Sequence, residues 1–148
     1  MNTWADEVIT GDYAGHPGLL YRQRPHNYAE LLAGVPRWTP RTFLVQSGRR
    51  VRFGEFFAAV DTARNRLTPL GIRPGDRVML LAYNSPDWVV ALWAIWSAGA
   101  VPVLGNRWWS DKEAQHSLDV VRPRVVITDA PGLVAGFTGP VLDISTLA

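Results

Sequence analysis

The stretch Trp96-Ser-Ala-Gly-Ala-Val-Pro-Val-Leu-Gly-Asn-Arg-Trp-Trp-Ser110 decides how this chain reads. It is the end of one buried helix, a tight turn at Gly99, a short buried strand, a loop, and the capped start of a second helix. Upstream, Ser85-Pro86-Asp87 supplies an N-cap, a first-turn proline and an acid at the positive end of a helix dipole, and Gly99 supplies the C-terminal stop. The residues between are apolar nearly all round, so Trp88, Val89, Leu92, Trp93, Ile95 and Trp96 have to be packed both by a sheet and by another layer. Val101-Pro-Val-Leu104 is the strand that follows. Pro102 cannot donate to a ladder, which predicts that it lies at the strand's start or at a bulge. Ser110-Asp-Lys-Glu113 is a capping box, and Leu118, Val120 and Val121 complete an amphipathic helix that stops before Pro123.

Working outward, Pro74-Gly75-Asp76 has the order of a type II turn, and Val78–Ala82 then runs apolar without alternation, as a strand buried on both faces does. Val125–Thr128 is a third such strand, ending at Asp129. Strand, helix, strand, helix, strand with short connections predicts an α/β fold whose sheet is mainly parallel, with right-handed crossovers and covering helices. Gly132, Gly136 and Gly139 interrupt the chain before a last strand, Val141-Leu-Asp-Ile144. On the N-terminal side, Phe43-Leu-Val45 and Val51-Arg-Phe53 flank Ser47-Gly48-Arg49, which predicts a β-hairpin. Gly54 then opens a helix with Phe56, Phe57, Val60, Ala63 and Leu67 on one face, and Pro69 is expected to force Thr68 out of the helical region. Residues 1–40 carry Gly11, Gly15, Pro17, Gly18, Pro25, Pro36 and Pro40 and read as an irregular leader in which only Asn27 to Ala33 is helical. The body is residues 41–148.

Composition narrows the class. A chain of 148 residues, 47% hydrophobic and 19% charged, with seven Trp, is a packed globular protein with one core. The net charge is +2 despite a pI near 9.4, and the arginines are scattered among acids, which argues against nucleic-acid binding. Without Cys there is no disulfide framework and no thiolate metal site, and His16, His26 and His116 lack ligand spacing. A reducing cytoplasm suits this composition, and the acids near the N-terminus do not make a signal peptide. The uncharged interval between Asp87 and Arg107 approaches the length of a membrane span, but Gly99, Pro102 and the central Trp93 and Trp96 argue for helix then strand.

The chain offers little chemistry. Gly132, Gly136 and Gly139 match neither the dinucleotide fingerprint nor a Walker loop and read as turn formers. No Gly-x-Ser-x-Gly occurs, so Ser47, Ser85, Ser97 and Ser110 read as turn or cap residues. Asp76 sits in a turn and Asp87 in a helix's first turn. Asp129 is the acid to watch, because catalytic groups collect at strand ends in open α/β sheets, against the plainer role of a solvated strand end. Trp108 and Trp109 are suited either to stacking on a flat ligand or, in the favoured reading, to packing beneath the neighbouring helix. Arg49, Arg50 and Arg52 mark a hairpin edge kept soluble by charge, with an anion site as the alternative. No residue stands out as catalytic, cofactor-binding or metal-ligating.

Taken together, Val51-Arg-Phe-Gly-Glu-Phe56, Leu70-Gly-Ile-Arg-Pro-Gly-Asp-Arg-Val78, Asn84-Ser-Pro-Asp-Trp88, Ala98-Gly-Ala-Val-Pro-Val103, Asn106-Arg-Trp-Trp-Ser110 with Glu113, and Arg122-Pro-Arg-Val-Val-Ile-Thr-Asp129 resemble the N-terminal part of the adenylate-forming (AMP-binding) acyl-CoA synthetases. The resemblance covers about Arg41 to Asp129, and Asn106-x-Trp-Trp109 is similar to the fatty acyl-CoA ligase branch. It implies a partial N-terminal domain of an enzyme that joins a carboxylate to ATP, releasing pyrophosphate, and then passes the acyl group to coenzyme A, with magnesium accompanying ATP. The family's Ser/Thr/Gly-rich phosphate loop, its adenine- and ribose-binding segments and its C-terminal lysine domain have no counterpart in these residues, so none of its catalytic residues is carried over. The matching segments are scaffold in that family. The isolated chain is therefore expected to be inactive, and either to lean on a separate chain carrying the catalytic part or to self-associate, with Trp88, Trp93, Trp108 and Trp109 partly uncovered. A non-enzymatic, partner-binding remnant is the alternative.

Overall fold

A computed structural model describes residues 7–34 and 38–147 of the chain. In chain order the elements are β1 (Val8–Tyr13), β2 (His16–Tyr21), α1 (Tyr28–Ala33), β3 (Thr42–Gln46), β4 (Arg49–Arg52), α2 (Phe53–Leu67), β5 (Arg77–Leu81), α3 (Pro86–Ser97), β6 (Val101–Leu104), α4 (Asp111–Val121), β7 (Val125–Thr128) and β8 (Val141–Asp143). The strands form two antiparallel hairpins, β1-β2 and β3-β4, and a four-stranded sheet in the order β6-β5-β7-β8. All pairings in that sheet are parallel.

The leader departs from expectation, because residues 8–21 form a regular hairpin. Its turn, Ala14-Gly15, has positive φ at both central residues (51° and 83°), the geometry that matches strand twist, and the Asp12 side chain accepts a hydrogen bond from the Gly15 N–H at 2.8 Å. Gly11 and Gly18 lie opposite each other in the ladder, and Pro17 faces Asp12. Both strands of a two-stranded ribbon are edges, so a proline costs no interior hydrogen bond there. Helix α1 forms as its sequence predicts: the Asn27 side chain accepts from Glu30 N at 2.9 Å, and Glu30 Oε2 accepts from His26 N at 2.8 Å. Tyr28 then stacks on Trp96, with ring centroids 4.0 Å apart, and fixes this helix to α3. Residues 1–6, 35–37 and 148 lie outside the described structure, and with them the expectations placed on Pro36.

The second hairpin turns at Ser47-Gly48, again with positive φ at both residues. Helix α2 begins at Phe53, one residue earlier than expected, and buries Phe56, Val60, Ala63 and Leu67. Gly54 is required by proximity, since a Cβ there would come within 2.7 Å of Thr39 Cγ2. Thr68 does not leave the helical region: its φ and ψ are −55° and −49°, and it opens a 3-10 turn, Thr68–Leu70, that ends at Gly71. Pro69 is tolerated because the first positions of a new turn need no N–H partner, while Thr68 Oγ1 donates to the Arg64 carbonyl at 3.2 Å.

The core lies on both faces of the sheet. On one face Val78, Leu80, Val125 and Ile127 pack with α2 and α3; on the other Met79, Leu81 and Val126 pack with Leu118 of α4 and with Val134. Strands β5 and β7 are therefore buried on both sides, as their unalternating sequences require. The apolar run Val101–Leu104 misleads on this point. It is an edge strand, with Val101 48% and Leu104 53% exposed, because among the described residues no strand flanks its outer side. Pro102 sits second in a ladder without register shift. The N–H groups of Val101 and Gly105 point to β5, at 2.8 and 2.9 Å from the Asp76 and Leu80 carbonyls, so at strand period Pro102 faces outward, where its missing donor blunts the open edge.

Helix α3 is enclosed as expected, but its most buried residues are Val90, Ala91, Ala94 and Ile95, small enough for close approach to sheet and α2; its three Trp flank that seam, half-buried. The turn at Gly99 (φ 73°) docks on the turn at Gly75, whose N–H donates to the Gly99 carbonyl at 2.9 Å; a Cβ on Gly99 would meet Pro74 Cγ at 3.3 Å. In the capping box of α4 the backbone N–H and then the hydroxyl of Ser110 bond Glu113, holding its carboxyl below the ordinary range. Val120, assigned by pattern to the apolar face of α4, is 67% exposed; Ala114 and Leu118 make the buried contact.

Candidate functional site

Three short peptides meet at the carboxyl ends of the parallel strands: Tyr83-Asn84 after β5, Gly105–Trp109 after β6, and Asp129 after β7. The chain leaves β5 through α3 toward one edge, then returns through α4 on the opposite face to lay β7 on the other side of β5. Strand order therefore reverses between β5 and β7, and in open α/β sheets ligands bind outside the carboxyl ends at such a point. A crevice of about 300 Å3 opens beside that point, between the ends of β5 and β6, lined by Tyr83, Asn84, Trp88, Leu104, Asn106, Arg107 and Trp108 among others.

Asp129, singled out by its position in the sequence, lies at this point. It is neither simply solvated nor placed beside a nucleophile. Its Oδ1 accepts from Arg107 Nε at 2.6 Å and its Oδ2 from the backbone N–H of Tyr83 at 3.0 Å. The two side chains are 24% and 28% exposed, so the pair is partly shielded. Arg107 also lies over the Tyr83 ring, 4.7 Å from its centroid. The loop that carries Arg107 is anchored separately: Gly105 N donates to the Leu80 carbonyl, Asn106 Oδ1 accepts from Trp108 N at 2.9 Å, and the Asn106 carbonyl accepts from Trp109 N at 3.0 Å. Gly105 must lack a side chain, because a Cβ would approach Leu81 Cδ1 to 2.8 Å and Trp109 Cζ3 to 3.1 Å.

The paired tryptophans divide. Trp109 packs against the Met79–Leu81 cluster as expected, whereas Trp108 does not go beneath a helix: it is 79% exposed and meets Tyr83 edge-on at 5.5 Å. Tyr83 and Arg107 were not singled out from sequence. The signal available was position, since Tyr83 directly follows a predicted strand, as Asp129 does, and Arg107 lies three residues past the end of another.

The remaining flagged residues serve the fold. Ser85 Oγ caps α3 through Trp88 N at 3.1 Å, and Asp76 accepts from Arg73 N and pairs with Arg124 at 3.7 Å. Arg49 approaches Asp87 at 3.9 Å, both side chains well exposed. Ser97 is neither a turn nor a cap residue: it ends α3, and its hydroxyl is buried without a hydrogen-bond partner. Among the described residues no three His, Cys, Asp or Glu gather as a metal site, and no helix is long and apolar enough to cross a membrane.

Fold and site together define a doubly wound parallel α/β unit whose strand ends are tied together by an internal ion pair. The chain belongs to the AMP-binding enzyme family, whose pattern matches residues 33–144. It is 38% identical over 73 residues to the salicyl-AMP ligase / salicyl-S-ArCP synthetase of Mycobacterium tuberculosis, a match covering 46% of this chain and 13% of that protein. It is 31% identical over 99 residues to the medium-chain acyl-CoA ligase ACSF2, mitochondrial, of Danio rerio, covering 66% and 16%. The Klebsiella oxytoca NpsA N-terminal subdomain, solved in complex with anthranilyl-AMSN, superposes with a TM-score of 0.74 at 22% identity over 82% of this chain and 32% of that one, a likeness of fold. The chain thus spans less than a fifth of the length of these two curated relatives.

Proposed function

We propose that these residues are the N-terminal scaffold of an ATP-dependent ligase that activates a fatty acid as its acyl-adenylate and passes it to coenzyme A, and that they do not catalyse either step alone. The fatty-acid assignment is supported by Asn106-Arg-Trp-Trp109 and by the medium-chain ligase among the relatives. The salicyl-AMP ligase makes aryl acids the competing substrate class. The scaffold reading is carried by one observation: at the carboxyl ends of the strands the Arg107 guanidinium and the Tyr83 N–H are both taken up by Asp129, and the sequence contains no phosphate loop.

ATP, magnesium and coenzyme A accompany this family's chemistry, but the described residues do not fit them. Stabilising charge on a reacting phosphate takes converging N–H groups, cations or a metal. Here the one guanidinium in the crevice is already neutralised by Asp129, and no carboxylate cluster is present among the described residues to hold a metal. The scaffold acts in the cytoplasm, as the Cys-free composition suits, beside a catalytic part that covers its exposed apolar residues. Pyrophosphate release by the purified chain with ATP, magnesium and a fatty acid is the test: none is expected, and sustained turnover overturns the proposal.

A second reading, a non-enzymatic partner-binding module, is favoured by the exposure of Trp108, Leu104 and Leu19. Sedimentation at low concentration, with a dye for exposed apolar surface, decides whether these residues are covered by another copy. A dye-silent monomer counts against both self-association and the need for a partner.

A further inference from the structure

We propose that the carboxyl ends of β5 and β6 carry a carboxylate-binding cradle, made by the Tyr83 N–H and the Arg107 Nε–H, which Asp129 fills as an internal ligand and which a small free monocarboxylate enters when Asp129 is withdrawn. This inference stands apart from the ligase reading and holds whether or not the chain acts with a catalytic partner.

Three features carry it. The two donors come from different strand ends and converge, one on each oxygen of a single carboxylate, at 2.6 and 3.0 Å. Each donor is also held by contacts that do not involve Asp129. Tyr83 N directly follows the buried β5-Ala82 segment, and Arg107 is set by its stack on the Tyr83 ring and by the Gly105 and Asn106 hydrogen bonds of its loop. A cradle whose donors are fixed in advance loses little ordering entropy when it binds, and a charge-assisted bond to a guanidinium is the stronger kind. The third feature is access. The adjoining crevice, about 300 Å3 and walled by Tyr83, Trp88, Leu104 and Trp108, has room beside the cradle for a compact apolar or aromatic group.

Asp129 differs from a free acid only in its tether. A tethered carboxylate competes at an effective concentration of order mM or above, so free acids below that level are excluded from the wild-type cradle. The Asp129 contact also ties the Gly105–Trp109 loop, and with it the exposed Trp108, to the strand ends. The carboxylate is thus an internal ligand and a positioning group, with no part in bond making.

The test uses Asp129→Ala in the full chain, with sodium acetate and sodium benzoate as probes at neutral pH and sodium chloride at matched ionic strength as reference. Acetate and benzoate are expected to raise the thermal midpoint of the variant and leave that of the wild type unchanged. Titration by tryptophan fluorescence is expected to give a dissociation constant for benzoate about tenfold or more tighter for the variant than for the wild type. In Asp129→Ala/Arg107→Ala the response is expected to vanish, and in Asp129→Asn, where an amide fills the space, to be absent. If Asp129→Ala does not fold in chloride, recovery of its far-UV circular dichroism in acetate is the same result read as folding. An equal response in wild type and variant, a response that survives loss of Arg107, or no recovery and no shift in acetate overturns the proposal.

Discussion

Leu80 and Leu104 lie opposite each other in paired strands, yet the fold gives them opposite weights. Leu80 is in the central strand at 0% exposure, and Leu104 is on the open edge at 53%. Substituting alanine for either removes three carbons. At Leu80 all are buried, so the transfer loss is about 2.4 kcal/mol from about 0.8 per methylene-sized group, and an unfilled cavity brings the total to about 3–4 kcal/mol. At Leu104 about half the transfer loss remains, without an enclosed cavity, which leaves about 1 kcal/mol. For a domain of this size those costs correspond to drops in melting temperature of about 10 °C and about 3 °C. Thermal melts followed by far-UV circular dichroism, with urea titrations read by tryptophan fluorescence, measure both. Similar losses for the two variants, or a loss under about 1 kcal/mol for Leu80→Ala, would refute the strand order and the two-sided burial of β5.

Two further predictions follow from single contacts. Glu113 has its carboxyl lowered by Ser110, so its contribution is complete above the unfolded-state value and is lost as pH falls through the lower folded value. Melting between neutral and acid pH is expected to show that loss in the wild type and not in Glu113→Gln, and a Gln variant with the same acid slope contradicts the capping box. Pro102→Val adds an outward N–H to the open edge of β6, and sedimentation at rising concentration is expected to show more self-association than wild type, with an unchanged profile counting against the protective role of the proline.

The elements of the body were legible in the sequence because their signals are local. Ser85-Pro86-Asp87, Ser110 with Glu113, and the glycines at 75 and 99 act through hydrogen bonds and φ values set within a few residues, and each does in the structure what its chemistry requires. The parallel sheet followed from apolar strands alternating with helices. Three features were decided only by tertiary structure. Val101–Leu104 is as apolar as β5 and β7, and Pro102, its one local signal, fits a strand start or a bulge as well as an edge, so only the strand order decides that β6 is an edge strand. The leader hairpin was hidden because its glycines and proline read as breakers, whereas ladder pairing across a two-residue turn accommodates them. The cluster at the strand ends is the third. Tyr83, Arg107 and Asp129 are 22 to 46 residues apart, and their hydrogen bonds exist only because parallel pairing brings the strand ends together. Sequence could mark Asp129 as a residue at a strand end, but an ion pair between distant residues is set by where the sheet places the two charges, and spacing along the chain carries no record of it.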